Sequence, residues 1–165
     1  MIIDQKRAHE RILYEKFLEY SGSSRTVTQA ELYPVEMELN PADACVLKDI
    51  ETEIRLLGFG FHFSGNSIVI TGRPAEVGVT DPKMMLGILL EEYKTTESEP
   101  SSGIREKVAA AMASASAISY GRILQKGEME DLFDALFSCK SPNYSPKGKA
   151  VISILTLEEI DKRLR

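Results

Sequence analysis

Apolar and polar positions along the chain switch between a helical and an extended period, and the switches predict a mixed α/β order of elements. From Asp4 the spacing is helical. Positions 6, 10, 13 and 17 share one face, so Lys6 and Glu10 are i,i+4 neighbours above Leu13 and Phe17, with Asp4 at the N-cap. This helix fades near Tyr20, and Ser21-Gly22-Ser23-Ser24 predicts a flexible turn. Val35, Met37 and Leu39 then alternate with Glu36 and Glu38 as a half-buried strand. Asn40-Pro41 and Asp43 supply the cap, first-turn proline and first-turn acid of a helix whose Val46, Ile50, Ile54 and Leu57 form one stripe. Gly58 is its expected stop. Phe59, Phe61 and Phe63 alternate, Ser64-Gly65-Asn66 turns the chain, and Ile68-Val69-Ile70 returns as the second arm of a hairpin.

Asp81-Pro82 opens a further helix with Met85, Leu86, Leu89, Leu90 and Tyr93 on its apolar side, and residues 95–103, rich in Ser, Thr and Glu, read as a linker. A helix over 104–118 is dense in alanine, which lets another element approach closely and places it centrally. Met129, Leu132, Phe133, Leu136 and Phe137 fall at i, i+3, i+4, i+7 and i+8 of the next helix. After a loop over 141–149, Val151-Ile152-Ser153-Ile154-Leu155 predicts a strand, and Thr156 with Glu159 forms the capping box of the last helix. The fold class expected is α+β, mixed α/β in sequence order, with too few strands for a Rossmann sheet and no internal repeat.

Composition narrows the function. With 165 residues, 43% of them hydrophobic and 27% charged, the chain can bury one sizeable core or two small ones, and its net charge of −5 argues against a free-standing nucleic-acid binder. Cys45 and Cys139 are too few for a disulfide framework or a cysteine-based zinc site; Cys45, in a helical pattern, reads as a small core residue. No signal segment or membrane span is visible, so a cytoplasmic location without a membrane partner is the default expectation. Opening on Ile2-Ile3 just before a helix, the chain looks like a domain cut from something larger, its first strand clipped short. His9 diverges from Glu10 by about 100° around the helix and reads as solvent-facing or capping; His62 points away from Phe61 and Phe63 and reads as a surface residue. Gly58-Phe59-Gly60-Phe61 reads as strand entry rather than a phosphate loop, and two such histidines support no Ser/His/Asp arrangement.

The first helix carries the sharpest motif. Asp4, Gln5, Glu10 and Glu15 match in register the Asp-Gln-His-Ala-x-x-Glu-x-x-x-x-Glu signature of the C-terminal domain of the MutL family of DNA mismatch repair proteins, which the chain resembles over nearly its whole length. Lys6 stands where the signature has its His, and Arg7 where it has Ala. In members that nick DNA, the Asp, His and Glu of this helix contribute to a divalent-metal site. An ammonium has no lone pair to give a metal, so Lys6 would instead set its own charge near Glu10 and Asp4. The resemblance places the family's Ala-Cys-Lys/Arg at Ala113-Ser114-Ala115 and its Cys-Pro-His-Gly-Arg-Pro at Ser145-Pro146-Lys147-Gly148-Lys149-Ala150. The closing Phe-x-Arg has no clean counterpart after Ile160. Imidazole and thiol ligands have thus become Lys6, Ser114, Ser145 and Lys147. The oxygens left on Asp4 and Glu10 are poor zinc or manganese chemistry, and no metal, cofactor or catalytic residue is expected.

A binding motif is present. Gln29-Ala30-Glu31-Leu32-Tyr33-Pro34 resembles the Gln-x-x-Leu-x-Pro peptide with which such proteins dock on the sliding clamp, and Gln29, Leu32, Tyr33 and Pro34 would be its anchors. The same residues could also be an ordinary edge segment leading into a strand. The resemblance further implies two lobes: a dimerisation lobe from residues 1–26 and 114–165, and an inserted regulatory lobe over 27–113. The strand Val151-Ile152-Ser153-Ile154-Leu155, apolar on both sides, places Val151, Ile152 and Ile154 at a homodimer interface. The expected function is dimerisation of a MutL-like repair protein without its nuclease site. An ATPase would lie in an absent N-terminal region, MutS-like proteins would be partners, and DNA would be reached only through the full-length assembly. The alternatives are a metal-dependent endonuclease with rearranged ligands, and an αβ adaptor with no repair role.

Overall fold

A computed structural model describes residues 1–23, 27–75, 81–96 and 103–164. The elements in order are β1 (Ile2–Ile3), α1 (Gln5–Ser23), β2 (Thr28–Glu38), α2 (Pro41–Asp49), α3 (Glu51–Leu56), β3 (Gly60–Ser64), β4 (Ser67–Pro74), α4 (Pro82–Thr96), α5 (Ile104–Ser116), α6 (Lys126–Phe137), β5 (Ile152–Ser153) and α7 (Leu157–Leu164). The fold is α+β, with antiparallel sheets in the orders β1-β5 and β2-β4-β3. It divides into two compact units, one from Met1–Glu15 with Ala117–Arg165 and the other from Lys16–Ser116.

In the unit built from both ends, Ile2 pairs with Ser153 and Ile3 with Ile152. The Asp4 amide donates to the Val151 carbonyl at 2.9 Å, ending β1 where α1 begins. Because β1 offers only two residues, β5 is two residues long rather than the five its apolar run predicts. Ala8 and Ile12 of α1, Leu136 of α6 and Val151 form the core, with Ile3, Leu132, Ala135, Cys139 and Ile152 packed against it. The capping box of α7 is formed as expected: the Thr156 amide donates to Glu159 Oε2 at 2.9 Å and the Glu159 amide to Thr156 Oγ1 at 3.2 Å. For α6 the expected apolar stripe is present but only Leu136 is buried, while Met129, Phe133 and Phe137 stay exposed.

The other unit is a three-stranded sheet with helices. α4 contacts β2, β4 and α5, and its Met85, Leu86, Leu89, Leu90 and Tyr93 are all buried, as their spacing predicts. The alanine-dense face of α5 buries Ala109, Ala111 and Ala113. At the start of α2 the Asn40 side chain accepts from the Asp43 amide at 2.8 Å. Lys94 of α4 reaches that same Asp43 at 2.8 Å, and the bonds to Asp43 and Glu91 raise its pKa above 10.5. The β3–β4 hairpin turns at Gly65, whose φ of 60° suits glycine.

Four expectations are corrected. Ser21–Ser23, read as a turn, continue α1, since extending an existing helix is cheaper than starting one; Ser24 lies outside the described residues. The single helix over Val46 to Leu57 is broken at Ile50 (φ −110°, ψ 14°), where Glu51 and Glu53 start a new first turn; its stripe of Ile50, Ile54 and Leu57 remains buried. Cys45 is exposed rather than in the core: two residues before buried Leu47, it points to the opposite side of α2. β2 begins seven residues before Val35, at Thr28, so the docking-like peptide lies within a strand element. Of the linker read at 95–103, residues 97–102 lie outside the described residues.

Candidate functional site

The N-terminal turn of α1 gathers the residues of the helix signature. Asp4 caps the helix through Oδ1, which accepts from the Arg7 amide at 3.0 Å, while its Oδ2 lies 3.3 Å from Arg7 Nε and accepts from the Tyr120 hydroxyl at 3.4 Å. One turn on, Lys6 Nζ sits 4.0 Å from Glu10 Oε1 and 5.2 Å from the centre of the Tyr120 ring. Lys6 therefore balances the largely buried Glu10, and Arg7 rather than Lys6 is the cation on Asp4. Glu15 accepts from the amides of Lys140 and Ser141 at 2.8 and 3.2 Å, with Arg11 3.7 Å away. It holds the loop entry after α6. His9, read as solvent-facing or capping, accepts the Ile118 amide on Nδ1 at 3.1 Å.

The second motif lies in the same unit. Ser145 is 1% exposed; its amide donates to Lys149 O at 2.8 Å and its hydroxyl accepts from the Lys149 amide at 3.2 Å, closing a turn over Lys147 with Gly148 at φ 71°. Lys147 is exposed. Ser114 is half-buried on α5, in the other unit. Arg7 Nη1 donates to Ala150 O at 2.8 Å and Arg11 Nε to Tyr144 O at 2.6 Å, so α1 grips both ends of this loop. Asp4, Lys6, Glu10, Glu15, Ser145 and Lys147 thus belong to one unit. Tyr120, Arg7 and Arg11 complete the arrangement; the i,i+4 spacing of the arginines could have drawn attention to them, but nothing in the sequence singles out Tyr120.

Chemically, this is a set of carboxylates each already partnered by a cation or by backbone amides. The imidazole of His9 is committed to a main-chain N–H, and among the described residues no group of three or more His, Cys, Asp or Glu side chains converges. The residues present do not fit a divalent-metal centre, which needs neutral imidazole, thiolate or uncompensated carboxylate donors.

Two surfaces accompany this cluster. On β2, Gln29 and Pro34 are exposed, and Leu32 and Tyr33 are 91% and 84% exposed. On α6, Met129, Phe133 and Phe137 form an exposed apolar stripe, with the Phe133 and Phe137 rings 4.5 Å apart. Of the three residues expected at a dimer interface, Ile154 is 75% exposed and Ile152 half-buried, whereas Val151, at 2%, is inside its own unit. At the start of α6, Glu128 accepts from the Gln125 amide and pairs with Arg122, both at 2.8 Å, and this lowers its pKa below 4.5.

Residues 1–124 match the family described as the MutL C terminal dimerisation domain. The DNA mismatch repair protein MutL of Bacteroides fragilis is 33% identical over 166 aligned positions, covering 100% of this chain and 27% of the relative. That of Parabacteroides distasonis is 35% identical over 165, covering 99% and 27%, and that of Chloroherpeton thalassium 34% identical over 163, covering 98% and 26%. The chain spans about a quarter of the length of these relatives. Among the described residues no helix is long and apolar enough to cross a membrane.

Proposed function

Since the chain belongs to the family of MutL C-terminal dimerisation domains, we propose that it joins two copies of a mismatch repair protein and carries no strand-nicking site. The observation that carries the second half is the pairing on α1: Lys6 lies 4.0 Å from Glu10 and Arg7 3.3 Å from Asp4. A divalent ion approaching these carboxylates would meet two fixed positive charges and, at Lys6, no lone pair to replace an imidazole. The test is elemental analysis after dialysis together with a supercoiled-plasmid assay in manganese. No retained metal and no nicking are expected; one metal per chain with nicking abolished by Glu10→Ala would overturn the reading.

Residues 1–26 and 114–165 serve as the dimerisation lobe and 27–113 as the inserted regulatory lobe; the compact units, 1–15 with 117–165 and 16–116, support such a division while drawing its bounds elsewhere along α1 and α5. Support for the first comes from the α6 stripe of Met129, Phe133 and Phe137 and from Ile154, all uncovered within the chain. Interfaces that hold long chains together are rich in such side chains at their centre. Val151 supports the lobe from within, and Ile152 is at most its margin.

The regulatory lobe offers Gln29, Leu32, Tyr33 and Pro34 to the sliding clamp. Support comes from the exposure of Leu32 and Tyr33, which a core strand would have buried. Gln29→Ala with Leu32→Ala should abolish binding to the cognate clamp and leave fold and dimer intact; unfolding or unchanged binding would refute docking. In the whole protein, an N-terminal ATPase would close on DNA through this dimer, with MutS-like proteins as partners.

A further inference from the structure

Between Ala30, opposite Gly72, and Val35, opposite Ile70, β2 sets residues 31–34 against Thr71 alone. An insertion of this kind pushes chain out of the ladder, which accounts for Leu32, Tyr33 and Pro34 standing in solvent. A segment with no paired positions would sample many conformations, and ordering it on contact with a partner weakens binding. Glu31 behaves differently from its neighbours. Its carboxylate turns back onto β4, Oε1 3.3 Å from Arg73 Nε, with side chains only 19% and 11% exposed. Both atoms are shut off from water and meet without hydrogen-bond alignment. The attraction is therefore Coulombic in surroundings that screen it little, and removing Arg73 takes the neighbouring cation from a largely buried carboxylate. Arg73 also stands opposite Gln29 in the ladder, so one cation is placed against the first residue of the segment and tied to the third.

We propose that the Glu31–Arg73 pair is a positioning device that pins the root of this insertion, so that Leu32 and Tyr33 are held outward in a pre-ordered form. The inference rests on the clamp-docking reading above and deepens it. Glu31 fills a variable position of the Gln-x-x-Leu-x-Pro pattern, and here that position has work to do within its own chain.

Titration calorimetry against the cognate clamp tests it, comparing the whole chain with a synthetic peptide of residues 27–36. The chain should bind about tenfold more tightly than the peptide, and Glu31→Gln or Arg73→Met should bring it down to the peptide's level. Glu31→Arg combined with Arg73→Glu should recover part of the loss, and Glu31→Gln in the peptide should change nothing. Full-strength binding by the folded single variants would overturn the proposal. So would an equal loss in the peptide, since Glu31 would then be touching the clamp. Hydrogen exchange gives a readout that needs no partner: the amides of residues 31–33 and 35 should exchange faster in Glu31→Gln, and unchanged rates would refute positioning. If neither chain nor peptide binds the clamp, the docking reading fails while the exchange result still decides the role of the pair.

Discussion

Phe133→Ala offers the sharpest test of where two copies meet. A phenylalanine side chain presents roughly 200 Å², and Phe133 keeps 43% of its surface in solvent within one chain. About 90 Å² therefore remains for a partner to cover, equivalent to about 2 kcal/mol at about 25 cal/mol per Å². A two-fold interface contains the residue twice, so truncation should cost about 4 kcal/mol of association, or about a thousandfold in Kd. The part of the ring already covered also supports the helix, and its packing on Phe137 is lost, so the variant protomer should melt somewhat lower. Leu132→Ala provides the control. Leu132 packs on the unit's own core, so its loss should lower the melting temperature and leave Kd nearly unchanged. Sedimentation equilibrium over a dilution series reads Kd directly, with circular dichroism confirming the fold. If Phe133→Ala dimerises like wild type, α6 is not at the interface, and charge substitutions at Ile152 and Ile154 become the next discriminating variants.

Three further outcomes follow from the geometry. Lys6→Ala should lower stability by at most about 1 kcal/mol, because its ammonium is partly hydrated where it meets Glu10 and Tyr120; an unchanged melting temperature would mean that Glu10 is balanced by other groups. Glu128 has a folded pKa below 4.5, from the Gln125 amide first and Arg122 second, so its contribution is present above 4.5 and fades as pH falls through the folded value. The melting-temperature gap between wild type and Glu128→Gln should accordingly be widest near neutrality and close in acid; a gap independent of pH would refute the charge account. Gly72→Ala places a methyl 2.6 Å from Thr28 Cγ2 and 3.3 Å from Gln29 O, so it should cost about 1–3 kcal/mol and loosen the start of β2; denaturant unfolding with unchanged midpoint would contradict the close approach.

The elements with strong periodicity were legible in the sequence because burial and period agree. Leu86, Leu89 and Leu90 of α4, the Asn40 cap and the Gly65 turn all lie where pattern and chemistry place them. What escaped depends on pairings distant in sequence. Nothing local tells that β5 pairs with the two-residue β1 and is as short, or that Glu31 finds Arg73 across a strand. The α6 stripe misled in a different way. Its spacing correctly gives a helix with one apolar face, but periodicity alone cannot say whether that face meets its own chain or another, and here Leu136 and Leu132 meet their own core while Met129, Phe133 and Phe137 stay exposed. Cys45 illustrates the reverse error: residue type suggested the core, while the angle from Leu47 around α2 puts it outside.

The signature helix shows how a motif can keep its spacing and change its work. Its ligand positions frame the 144–150 loop, which in metal-binding members of the family would be expected to share an ion with α1. In this chain the loop is fastened by other means. Arg7 holds Ala150 O and Arg11 holds Tyr144 O, one at each end, while Ser145 closes the turn between them. Guanidinium-to-carbonyl bonds are charge-assisted and need no metal. Asp4 and Glu15 remain useful in that arrangement, the first as helix cap and partner of Arg7, the second as acceptor for the amides of Lys140 and Ser141. Acidic residues partnered in this way by guanidinium groups and backbone amides suit an architectural role. On that account Arg7→Ala and Arg11→Ala together should free the loop, with faster hydrogen exchange over residues 144–150, and added manganese should not restore protection. Protection restored by the ion would show that the carboxylates still form a metal site once their cations are removed.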